Sequence, residues 1–64
     1  MDKEFWRGFL RFLDEANQAE IQRRLDDTRK LLDRGIQNPE VRSDARRIIR
    51  FLEQELVVRQ SNRE

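Results

Sequence analysis

The side chains from which enzymes most often build a nucleophile and its base are missing: the 64 residues contain no His, no Cys and no Tyr. The hydroxyls are Thr28, Ser43 and Ser61 and the amines are Lys3 and Lys30. None of them has a neighbour in the sequence that would activate it. Asp26–Asp27 and Glu53–Glu55 place carboxylates at i,i+1 and i,i+2, positions that diverge around a helix instead of converging on one substrate. Without His and Cys there is neither a zinc site of the His/Cys type nor a disulfide. The expectation is a chain that is not an enzyme and holds no cofactor.

What remains is the chemistry of arginine. Twelve of the 14 basic residues are Arg, the side chain suited to two-pronged contact with carboxylate or phosphate. Arg42, Arg46 and Arg50 step along one side of a helix at i, i+4 and i+8, with Arg47 beside them, and like charges at that spacing repel. Asp44 is within reach of Arg47 and Glu53 within reach of Arg50, whereas Arg42 and Arg46 have no acid at i±3 or i±4. Asp26 and Asp33, reaching across from the preceding helix, would neutralise the row. A nucleic-acid backbone would do the same. Gly35, Ile36 and Val41 resemble the turn glycine and flanking apolar positions of DNA-binding helix-turn-helix motifs, which would line Arg42, Ser43, Arg46 and Arg47 along a recognition helix. Leu31 stands where that motif carries a small residue and Asp44 where it is apolar.

Three helical patterns position these groups. Gly35 follows a basic last turn (Arg29, Lys30, Arg34), as expected of a left-handed residue past a helix end. Ile36 is placed to fold back onto Leu31. Asn38 is an N-cap, Pro39 fits the first helical position and Glu40 complements the new N-terminus. The sequence therefore predicts a hairpin of helices at 18–34 and 39–60. Ile21, Leu25, Thr28 and Leu32 form a narrow seam on the first, and Val41, Ala45, Ile48, Ile49, Leu52 and Leu56 form the buried face of the second. Phe51 and Val58 lie about 100° away from that face, beyond the cover of a single partner helix.

An aromatic helix at 3–16 leads in, carrying Phe5, Trp6, Phe9, Leu10, Phe12, Leu13 and Ala16 over nearly half its circumference. Its stripe does not continue in phase into the Ile21 seam. Asn17, with Glu20 three residues on, spells a capping box, so a kink or break is expected near residue 17. The chain reads as one all-α domain over residues 1–60, a three-helix or dimeric bundle, with residues 61–64 a frayed tail.

Net charge is +1, and acids and bases are interspersed throughout, so no global field draws the chain to nucleic acid or membrane. No apolar run approaches the ~20 residues of a membrane span, and the acidic start does not read as a signal peptide. A cytoplasmic location is expected. A core this small is marginal, and with disulfides and zinc excluded, a second subunit is the remaining common support. The sequence thus points to a helical protein-interaction module that self-associates. Phe5, Trp6, Phe9, Leu10, Leu13, Phe51 and Val58 are the candidate protein interface. Nucleic acid binding through Arg42, Arg46, Arg47 and Arg50 is the alternative.

Overall fold

The computed structural model describes residues 2–61, and among them the chain forms three α-helices: α1 (Lys3–Glu15), α2 (Gln18–Asp33) and α3 (Pro39–Ser61). Short polar side chains start each one. Asp2 is extended, and its Oδ1 accepts the Phe5 amide at 2.9 Å. The break between α1 and α2 falls at Ala16 and Asn17, both extended, and contains neither Gly nor Pro. It is made by the capping box: the Glu20 amide donates to Asn17 Oδ1 at 2.8 Å, and the Asn17 amide donates to Glu20 Oε1 at 3.0 Å. Two amides that the helix start would leave unpaired are thereby satisfied.

The α2–α3 turn follows the expected chemistry. Arg34 caps α2, and Gly35 takes the chain through the left-handed region at φ 85°. Its amide donates to the Leu32 carbonyl at 3.1 Å, the inner bond of a Schellman-type end. Asn38 Oδ1 then accepts the amide of Glu40 at 2.9 Å and that of Val41 at 3.4 Å.

Ile21 and Leu25 of α2 close against Ile48, Leu52 and Leu56 of α3, and Phe9, Leu13 and Ala16 complete the core from the α1 side. Ile21 and Leu52 are fully enclosed. Thr28 is buried in the α2 seam with its hydroxyl donating to the Arg24 carbonyl at 2.7 Å, so its burial leaves no polar group unpaired. Helices α2 and α3 approach each other closely, whereas α1 stands off on its rings.

Two details differ from the sequence reading. Val41, expected in the buried face, is 38% exposed: it stands in the first turn of α3 beside the α2–α3 turn, and the buried side chains of α3 begin one turn later at Ala45. At the other end α3 extends through Ser61, one residue past the expected helix end. The remaining tail positions, 62–64, lie outside the described residues.

Candidate interaction surface

Phe9 is the hub of the aromatic cluster. Its ring lies 5.9–6.4 Å from those of Phe5, Trp6, Phe12 and Phe51, as offset stacks and edge-on contacts. These are the arrangements that ring quadrupoles favour. Phe9 and Leu13 are core residues, 4% and 7% exposed. That corrects the expectation that both face a partner: α1 folds over the hairpin and spends its inner stripe on it. Phe5 and Trp6 are half-buried against the same core.

A groove remains between α1 and α3. Leu10, Leu13 and Asp14 line one side, and Phe51, Gln54, Glu55 and Val58 the other, enclosing about 330 Å³ open to solvent. Leu10 is 51% exposed, Phe51 39% and Val58 46%. These three therefore stay accessible after folding. Val57 of α3 is 59% exposed and was not singled out by sequence.

Arginines hold α1 down. Arg24 of α2 sits over the Phe12 ring at 4.6 Å, and Arg47 of α3 over the Trp6 ring at 5.3 Å. Arg59 donates through Nη2 to the Leu13 carbonyl at 2.9 Å and through Nε to Glu55 Oε2 at 2.9 Å. The Leu13 contact has a specific cause. That carbonyl would ordinarily accept the Asn17 amide, which the capping box has diverted to Glu20. The last turn of α1 also carries Asp14 and Glu15 and no basic residue, so the cation its C-terminus favours comes from α3.

The basic row is only partly available. Arg47, which the alternative nucleic-acid reading would set against a phosphate backbone, lies over the Trp6 ring. Glu53, expected beside Arg50, pairs across the hairpin with Arg29 at 2.5 Å. Arg42, Arg46 and Arg50 are exposed, and no ion pair holds them among the described residues. Asp26 accepts from Gln22 and does not reach across to the row. The paired carboxylates Glu53 and Glu55 serve different partners on different helices, and they do not converge on a common point.

Comparison with protein families, with curated proteins and with solved structures gives no match. The chain's own surfaces carry the functional reading. Among the described residues no group of acidic side chains is arranged to hold a metal ion, and no helix is long and apolar enough to cross a membrane.

Proposed function

We propose that this chain is a non-enzymatic helical interaction module that self-associates through the α1–α3 groove. The observation that carries the reading is the run of Leu10, Phe51 and Val58, exposed along one groove after the aromatic core has closed. Apolar side chains left exposed side by side along one groove are the kind of surface that association covers. A cytoplasmic location belongs to the same reading, in keeping with the cysteine-free composition and a reducing compartment.

The test is sedimentation of the purified chain beside Leu10→Ser with Val58→Ser. The expected result is a dimer or larger species for the wild type and a folded, helical monomer for the double variant. A wild type that stays monomeric up to ~100 μM, weaker than almost any specific dimer, overturns the reading.

One observation favours a second reading: Arg42, Arg46 and Arg50 stand exposed and without an ion-pair partner among the described residues. Successive members of this row are about 6 Å apart along the helix axis. Binding to nucleic acid through that row would weaken steeply as salt rises and be lost in Arg42→Ala with Arg46→Ala. Association through the groove would survive both changes.

A further inference from the structure

We infer that the occupant of the α1–α3 groove is the same groove of a second copy, paired antiparallel about a two-fold axis beside Gln54. This rests on the self-association reading and fixes its geometry. Helices α1 and α3 run in the same direction along the groove: Trp6 meets Arg47 and Phe51 at one end, and the Leu13 carbonyl meets Arg59 at the other.

The charge of the rims changes sign along that direction. Lys3, Arg7, Leu10 and Asp14 are spaced four, three and four apart, one stripe of α1. Arg47 stands one turn before Phe51 on α3. The first end is therefore basic, while Asp14 lies at the other beside Glu55 and Val58. Glu55 is held by Arg59, and Asp44, near the basic end, is half-buried and engaged within the chain. A surface with a basic end and an acidic end matches a copy of itself only when the copy is reversed. A parallel pairing would set Asp14 against Asp14 and Arg7 against Arg7.

The spacing along α3 agrees. Phe51 and Val58 are the apolar members of an α3 stripe whose other positions, Arg47, Gln54 and Ser61, are polar, so this edge of the groove offers two apolar contacts, one on either side of Gln54, and not a full heptad seam. Reversal about a point between Gln54 and Glu55 places Phe51 against the partner's Val58 and Arg7 near the partner's Asp14.

Area also argues for a second copy. The chain exposes 5345 Å², whereas a compact monomer of 7.9 kDa exposes about 4,400 Å². The surplus of about 900 Å² is that of an elongated body, 42 × 25 × 15 Å, and the ~800 Å² that each partner buries in a standard interface is reached by pairing along its long side. A net charge of +1 opposes the pairing little.

Asp14→Arg alone sets arginine against Arg7, and Arg7→Glu alone sets glutamate against Asp14. Each variant should keep its helicity and dimerise about tenfold or more weakly, since two symmetry-related rim pairs change from attraction to repulsion. Mixing the two variants makes both pairs attractive and should restore a heterodimer near wild-type affinity. Introduced thiols read the axis directly, because the chain has no Cys and a disulfide requires Cα atoms within about 7 Å. Gln54→Cys should cross-link on mild oxidation and Ser61→Cys should not. Equal cross-linking of both, or none at Gln54→Cys, overturns the antiparallel axis. A dimeric wild type whose single charge variants dimerise equally well also overturns the axis and leaves self-association standing. A monomeric wild type, as expected of a groove made for an unlike helix, overturns both.

Discussion

At the scale of single residues, the two glycines have opposite roles under the same steric conditions. A Cβ added at Gly8 or at Gly35 meets nothing within 4 Å, yet only Gly35 has positive φ. Gly8 lies inside α1, where glycine serves no dihedral need. Gly8→Ala should raise stability by about 0.5–1 kcal/mol, read as a higher urea midpoint with unchanged slope; a fall would mean that α1 is not helical there. Gly35→Val should lower stability by more than about 1 kcal/mol, since a β-branched residue resists the left-handed region, and Gly35→Asn by less. Equal melting temperatures for those two variants would rule out the left-handed turn. The role of Gly35 was legible because the basic turn before it and Asn38-Pro39 after it agree. The difference between Phe9 and Leu10 was not. Both belong to one wide apolar stripe, and only the angle at which α1 meets the hairpin makes Phe9 core and leaves Leu10 half exposed.

At the scale of elements, the break between α1 and α2 was legible because capping chemistry is local: Asn17 and Glu20 are three residues apart and satisfy each other's amides. Asn17→Ala should cost about 1 kcal/mol and lower the melting temperature without changing the helix count. No loss would show that the break is enforced by packing alone. The clamp on α1 was not legible, since Arg59 and Leu13 are 46 positions apart and Arg59 reads in sequence as a surface charge near a frayed end. Its substitution isolates the polar contact. Arg59→Met keeps the apolar stem while leaving the Leu13 carbonyl and Glu55 without their donor, at a cost of about 1–2 kcal/mol. Because α1 carries the single Trp, its loosening should appear as a red shift of Trp6 emission before the hairpin melts. Coincident loss of Trp emission and helicity would mean that α1 and the hairpin remain one cooperative unit without the clamp.

At the scale of the whole molecule, a chain of 64 residues with nine buried hydrophobic side chains among those described has a core near the lower limit for independent folding. The radius of gyration, 12.4 Å, exceeds the about 11 Å expected of a compact chain of this length. Much of the apolar surface of α1 is consumed internally, so the surplus that remains, Leu10, Phe51 and Val58, is smaller than the sequence stripe implied. It is still contiguous, and its burial in a dimer would couple folding to association. Stability should then depend on protein concentration, since the unfolded chain does not pair. Raising the concentration a hundredfold should lift the melting temperature by roughly 5–10 °C for a domain of this size. Leu10→Ser with Val58→Ser should melt lower and independently of concentration, with the far-ultraviolet spectrum of a folded helical chain below the transition. Phe9→Ala separates core from contact surface. Truncating that hub removes about 3–5 kcal/mol, a large share of what a domain this small possesses, and should unfold the chain at any practical concentration. If Phe9→Ala instead leaves a folded monomer while the Leu10/Val58 variant still dimerises, the aromatic stripe is the contact surface and the groove is not.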